Sequence, residues 1–591
     1  MHHFLKARMS PSPHLLPAKK WNLLPTASDA LLAAVPEHPL LTQVLFNRGL
    51  TTPAEMRAFL TQSDIVRTNP NRLRDMDVAV ARILQAIARR EVICVYGDFD
   101  ADGVTSTALM VTALQAAGAQ VGPYIPDRVD EGYGLNVDAI ERIAARAQLI
   151  VTVDCGMRSI AEVERANALG VDVIITDHHT VGALLPPALA VINPRRSDCP
   201  SRFESLAGVG VAFRLAQAVL RAVAVDPKGA LRPDRAAEIE NELLDLVAIG
   251  TVADMMPLLG ENRDLVRQGL VRLSNAPRPG ISALLAQAGM QRGNVDANMI
   301  GFRLGPRINA AGRISSAMTA YKLLRTNDPV EARTLAAELE SLNQKRQEMV
   351  IKAQIEADAQ IAALRANAPL LLVRSPNFRS GIVGLVAGKL ADRYYRPAVV
   401  IEEGPEESRG SARSIREFDI SDALDEVAAL LVRHGGHSRA AGFTVRTENL
   451  TAFAEALTNV AARELAGHAD LRPTLDVDLA LSARDVHWGL YEQFARLEPT
   501  GQDNPAPVLL ARNLRVRETR TAGAGKHLKL ILDSGPNQPV YDAVGFQQGH
   551  RAAHLPEGAL IDAVFTLEIN DFSGRRTLQW NLRDLAASET A

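Results

Sequence analysis

Cysteine is scarce, with three in 591 residues (Cys94, Cys155 and Cys199) and no Cys-x-x-Cys pair. That scarcity excludes both a disulfide framework and a structural zinc ribbon. Long apolar runs are missing too. The greasiest stretch, Val209 to Val225, is interrupted by Arg214, Gln217 and Arg221, so no membrane-spanning helix is expected. The first residues run into Pro11, Pro13 and Pro17 without the apolar core of a signal peptide, and a cytoplasmic location is expected. Net charge is only -3, so a nucleic-acid partner would have to be met by basic residues gathered locally. There is no dinucleotide fingerprint, since Gly208-Val-Gly210 has Phe213 in place of the third glycine and reads as a helix start. No nucleophile elbow supports serine chemistry either.

What is present is a concentration of acid. Val92-Ile-Cys-Val-Tyr-Gly-Asp-Phe-Asp-Ala-Asp-Gly103 is an apolar, strand-like run that ends in Asp98, Asp100 and Asp102. Three carboxylates at the end of a buried strand repel one another unless a cation or several donors compensate them. A calcium EF-hand loop opens the same way, but it needs a glutamate at its twelfth position, here Leu109, and a helix before it. Both conditions fail.

From Asp75 to about Leu259, helical runs alternate with strands predicted at 92–96, 121–125, 149–153 and 171–176, which implies an α/β domain with a largely parallel sheet. Ligands bind at the carboxyl ends of such strands. Asp98, Asp154 and Asp177 all fall there, and the third continues as Asp177-His178-His179. Imidazole beside carboxylate suits manganese, iron or zinc better than calcium or magnesium alone. A fourth acid, Asp254, comes after a helical run from Ala236 to Ile249. Asp328-Pro329 opens a long predicted helix to about Ala366, with Leu335, Leu339, Leu342, Met349 and Ile355 on one face.

Beyond that helix lies a smaller α/β unit, with strands at 370–373 and 398–401 and a helix opening at Ser380. From Leu471 short strand-like runs at 475–479, 508–510, 528–532, 543–546 and 563–567 predict a β-barrel of the oligonucleotide-binding (OB) fold. The fold class is therefore multidomain α/β: an N-terminal extension (1–70) packed on its neighbour in sequence, a parallel-sheet domain (71–325), a connecting helix (326–368), a second α/β domain (369–468) and the barrel (469–591).

Three glycine-rich motifs need weighing. Gly305-Pro-Arg-Ile-Asn-Ala-Ala-Gly-Arg313 is either a solvated turn or, with its arginine forks, a phosphate contact. Gly435-Gly-His437 is either a helix C-cap or a place where backbone closes on a nucleotide. Gly523-Ala-Gly-Lys526 is no triphosphate loop, because Arg520 holds the first glycine position and His527 replaces the magnesium-binding hydroxyl.

The motifs Asp98-x-Asp-x-Asp-Gly, Asp154-Cys-Gly, Asp177-His-His, Ala253-Asp254 and Gly-Gly-His437, in this order, resemble the DHH phosphoesterase superfamily, and most closely its single-strand-specific 5′ to 3′ exonucleases. The resemblance implies that Asp98, Asp100, Asp102, Asp154, His178 and Asp254 bind two divalent cations, manganese or magnesium, with Asp154 as the bridge and His179 beside them. It implies that Asp177 supports the histidines, and that Arg128, Arg307, Asn309, Arg313, Ser380, Ser411, Arg413 and His437 contact the substrate. The barrel would add Arg512, Arg515, Arg517, Lys526, His527 and Lys529, working by charge more than by stacking, since aromatics are only 4 % of the chain.

The expected activity is hydrolysis of single-stranded DNA to 5′-mononucleotides in recombination and repair. By the same resemblance a helicase and a single-strand-binding protein are expected partners of a monomer that engages no membrane. Two rivals remain: a phosphodiesterase acting on short RNA or cyclic dinucleotides, and a non-catalytic replication scaffold.

Overall fold

The computed structural model describes residues 18–588 except 62–68, 128–130, 133, 202, 228, 276–277, 291–292, 294, 365–367, 469 and 573–574. Arg128, expected at the substrate, lies outside the described residues. Two compact units divide the chain, one of Val66–Leu471 with Gly501–Asp503, the other of Met1–Ile65 with Arg472–Thr500 and Asn504–Ala591.

The larger unit carries β1 (Val92–Gly97), β2 (Gln120–Tyr124), β3 (Leu149–Val153), β4 (Asp172–Thr176) and β5 (Ala190–Ile192), all parallel, in the order β2-β1-β3-β4-β5. Every residue of β3 is buried, as befits a strand covered by helices on both faces. Gly97 pairs with Val153, and Val153 with Thr176. The next residue on each strand is an aspartate, so Asp98, Asp154 and Asp177 leave the sheet side by side.

After β1 comes α1 (Ala101–Ala116), which begins inside the acidic loop. The reason is local: Asp100 Oδ1 accepts from the Asp102 and Gly103 N–H groups (2.9 and 3.1 Å) and caps the helix. Asp102 consequently sits in the first turn, where unpaired N–H groups favour a carboxylate.

Helix α2 (Gly208–Val225) has a mean hydropathy of 1.5 over 18 residues, so by length and composition it could cross a membrane, contrary to expectation. It is 72 % buried inside the unit, as a core helix is. α3 (Leu244–Ala253) ends on Asp254, and the 305–313 motif is a helix, α4 (Gly305–Ile314), where a turn was one alternative.

The long helix α5 (Pro329–Ala362) starts at the Asp328 cap as expected. Its buried side is carried mostly by Ala332, Ala336, Leu339, Val350, Ala353 and Ala357. Ile355 faces away, 66 % exposed, because the helical period rotates the stripe off the larger residues. Beyond it, β6 (Leu371–Ser375), α6 (Ser380–Tyr394), β7 (Ala398–Glu402), β8 (Glu407–Arg413), β9 (Leu431–His437) and β10 (Ala440–Arg446) form a sheet ordered β9-β10-β8-β7-β6. Gly435-Gly-His437 lies on edge strand β9, so the helix C-cap reading is wrong.

The smaller unit closes five strands into a barrel: β11 (Leu509–Ala522), β12 (His527–Asp533), β13 (Val540–Gly545), β14 (Leu560–Phe572) and β15 (Arg575–Ala587), with β14 pairing back onto β11. Trp580 stacks on Phe565 at 3.8 Å in its core. β15 was not predicted, although Leu578, Trp580 and Leu582 alternate with Thr577, Gln579, Asn581 and Arg583. Residues 474–477 stand outside the closed barrel and pair with Lys20–Leu23. Leu41, Val44, Leu45 and Met56 share a core with Leu490, Leu509 and Leu514. Among the described residues the N-terminal extension thus shares its core with the barrel, where packing on its neighbour in sequence was expected.

Candidate metal centre

Three groups of side chains bring their ligand atoms within 4.8 Å of one another: Asp98, Asp100 and Asp154; Asp102, His178 and Asp254; Asp154, His178 and His179. Asp154 and His178 each belong to two groups, and of the two only the carboxylate has a second donor atom with which to bridge. His178 Nε2 lies 3.0 Å from Asp154 Oδ1, 3.6 Å from Asp254 Oδ2 and 4.0 Å from Asp102 Oδ2.

The backbone is arranged around these atoms. Asp154 has φ 62°, in the left-handed region that an aspartate enters only at some cost. Gly208 N–H and Val209 N–H, at the start of α2, each donate at 2.8 Å to one oxygen of Asp102. A methyl group on Gly208 would lie 2.7 Å from Asp154 Cβ, and one on Gly250 2.7 Å from Asp102 Oδ1. Asp177 is wholly occupied: Oδ1 accepts from His178 N–H, His179 N–H and His179 Nδ1 (2.7, 3.1 and 2.8 Å), and Oδ2 from Met157 N–H (3.0 Å). With Nδ1 donating to Asp177, Nε2 is the nitrogen of His179 left to act outward.

Electrostatics agree with a cation site. Burial, then Asp100, pushes the Asp102 carboxyl up to about 7. Burial, then Asp102, raises Asp154 and Asp254 well above the carboxylate range. Burial, then the charge of His179, lowers His178 to about 3, so its ring is neutral. Burial opposes the shift of Asp177, but the hydrogen bond and charge of His179 outweigh it and hold the carboxyl low; the same contact raises His179. Asp154 Oδ1 and both ring nitrogens of His178 are buried without a hydrogen bond, a condition rare in folded proteins. Carboxylate oxygens are donors for manganese and magnesium alike, and the neutral imidazole beside them favours manganese of the two. The residues present fit the two cations.

The expected substrate residues separate. Arg313 Nη1 reaches Gly381 C=O at the start of α6 (3.2 Å). Arg413 Nη1 donates to Ser411 Oγ (3.0 Å) and Ala412 C=O (2.8 Å), and a methyl on Gly384 would meet both Arg413 and Ser411 at 3.1 Å. Ser380, Arg313, Ser411 and Arg413 therefore gather around the first turns of α6. Arg307 instead binds Glu340 Oε2 (2.5 Å) on α5, and Asn309 Oδ1 accepts from Ala101 N–H (2.8 Å), bracing the acidic loop. His437 joins none of the three ligand groups among the described residues. The anchoring of Asp102 by Gly208 and Val209 was missed, although the helix-start glycines were its signal.

The parallel sheet, the acid and histidine cluster at its strand ends and the second α/β layer define a protein of the DHH class. Residues 92–251 match the DHH family N-terminal domain, 367–463 the DHHA1 domain and 477–584 the RecJ OB domain. The single-stranded-DNA-specific exonuclease RecJ of Bacillus subtilis is 40 % identical over 555 residues, covering 93 % of this chain and 68 % of that one. RecJ of Escherichia coli is 36 % identical over 558 residues, covering 92 % and 94 %. The crystal structure of RecJ from Thermus thermophilus in complex with Mn2+ superposes with a TM-score of 0.81 at 30 % identity, covering 97 % of this chain and 80 % of that one. The chain belongs to the RecJ family.

Proposed function

We propose that this protein is a metal-dependent 5′ to 3′ exonuclease that degrades single-stranded DNA to 5′-mononucleotides in recombination and repair. The observation that carries the reading is the convergence of Asp98, Asp154 and His178 at adjacent strand ends, where Asp154 Oδ1 and both ring nitrogens of His178 are buried without a hydrogen bond. Asp98, Asp100, Asp102, Asp154, His178 and Asp254 would hold two divalent cations, manganese or magnesium. Bound there, the cations would supply a nucleophile near neutral pH and neutralise the charge of the phosphodiester.

The chain's own residues do the rest. Asp177 fixes the ring of His179 through Nδ1 and favours its protonated form, in which Nε2–H can donate to a phosphate oxygen. Arg313, Ser411 and Arg413 make an anion-binding corner suited to a 5′ phosphate beside the first turn of α6, whose Ser380 N–H is already held by Glu402 Oε2 (2.7 Å). A single strand would lie in the groove between the 71–325 catalytic and 369–468 substrate-binding domains, joined by 326–368. The 469–591 barrel, with the 1–70 extension, would hold the strand further along. Arg512 and Arg517 are ion-paired with Asp562 and Asp533, so Lys526 and Lys529 are the stronger contributors there.

The protein would act as a monomer in the cytoplasm, where such strands arise, alongside a helicase and a single-strand-binding protein. Asp154→Ala tests the reading: manganese-dependent digestion of a 5′-phosphorylated single strand should vanish while circular dichroism stays unchanged. Retained digestion would sink the site assignment.

A further inference from the structure

Strand β5 ends at Ile192, paired with Thr176 of β4, and Asp177 N–H donates to Ile192 C=O (3.1 Å). The chain therefore leaves the sheet beside Asp177-His178-His179, as Asn193-Pro194-Arg195-Arg196. Asn193 is fully buried. Its Nδ2 donates to His179 C=O (2.9 Å), and its Oδ1 accepts from Arg195 N–H (2.8 Å). One side-chain amide thus ties the backbone of a metal-centre histidine to that of Arg195.

The two arginines are used differently. Arg196 commits its guanidinium to Asp75 (2.6 Å), Asp198 (2.8 Å) and Val191 C=O (2.6 Å). Arg195 is exposed, and among the described residues its guanidinium makes no hydrogen bond and no ion pair. Its charge nevertheless acts on both His178 and Asp254.

A guanidinium close enough for its charge to act on Asp254 would ordinarily be drawn into an ion pair. The Asn193 tether holds the backbone of Arg195 at the rim, and cations in the centre would compensate the carboxylates themselves. The planar fork of Arg195 is then left for another oxyanion. We infer that Arg195 binds a non-bridging phosphate oxygen of the strand lying over the metal centre, with Asn193 as its positioning residue. The inference rests on the exonuclease reading and adds a contact that none of the expected substrate residues supplies.

The test compares wild type, Arg195→Ala and Arg195→Lys on a 5′-phosphorylated single strand with manganese. Loss of one charge-assisted contact should lower kcat/KM about 10- to 100-fold in Arg195→Ala, with partial recovery in Arg195→Lys. Manganese affinity, measured by titration calorimetry, should not weaken, because Arg195 is no ligand. A methylphosphonate placed in turn at the first and second linkages removes one anionic oxygen at each. At one of them it should slow Arg195→Ala far less than wild type, since both changes delete the same contact. Unchanged kcat/KM, or equal slowing of both proteins at both linkages, overturns the assignment. A wild-type protein that leaves the strand intact fails earlier, in its own lane, and sinks the exonuclease reading and this inference together.

Discussion

Asp102 and Gly208 stand 106 positions apart and are joined by a 2.8 Å hydrogen bond from the Gly208 N–H to the Asp102 carboxylate. The start of α2 thereby serves as a clamp on an acid that belongs to α1. Because Gly208 also lies against Asp154, it has no room for a side chain.

Gly208→Ala should therefore displace Asp154 without emptying any apolar contact. The expected result is a loss of manganese affinity and of nuclease activity by at least about tenfold, in line with supporting groups at other metal sites. Calorimetric titration with manganese checks it, and an unaltered binding isotherm would show that the clamp has slack.

Acidity at the centre fixes a pH dependence. Asp102 is raised to about 7 by burial and then Asp100, and Asp154 and Asp254 are raised by burial and then Asp102. A carboxyl raised in the folded state favours folding while protonated. That contribution is complete below the unfolded value of about 4 and is lost as pH climbs through about 7. The gain in Tm on replacing EDTA with manganese should hence be larger at pH 8 than at pH 5.5. Equal gains would contradict the shifts.

Asp177 accepts four hydrogen bonds and donates none. In Asp177→Asn the amide NH2 must face a donor on one side, leaving buried groups unpaired. A loss of about 1–3 kcal/mol in urea-unfolding free energy is expected with EDTA present. Activity should also fall because His179 loses its fixed tautomer.

Lys526 and Lys529 lie on the β11–β12 hairpin, and no carboxylate ion-pairs with them among the described residues. Replacing both with alanine should flatten the plot of log binding constant against log salt for a long single strand by about 1.4. Cleavage of a dinucleotide should be untouched. Measuring the long strand on an Asp154→Ala background keeps it uncut.

Much of the centre was legible because its cost is local: Asp98, Asp154 and Asp177 each end an apolar run, and a sheet brings such ends together. Distant compensation was not legible. Nothing near Asp102 in sequence announces Gly208, and nothing near Ala101 announces that Asn309 holds it. Arg307 and Asn309 carry the same polar signature whether they face a phosphate or a neighbouring helix, so the motif and the family resemblance pointed them at the substrate. The barrel's existence could be read from its short strands, but β15 was overlooked although Leu578, Trp580 and Leu582 alternate with polar residues. The partnership of Leu41 and Leu45 with Leu490 and Leu509 joins the two ends of the chain, which no periodicity records.

The left-handed backbone at Asp154 has a practical consequence. Asparagine enters that conformation as readily as aspartate, so an Asp154→Asn chain should preserve the turn while removing the carboxylate proposed to bridge the cations. A protein that consumes strands becomes one that retains them, a bait with which the DNA ends and companion proteins it meets in a cell can be pulled out intact.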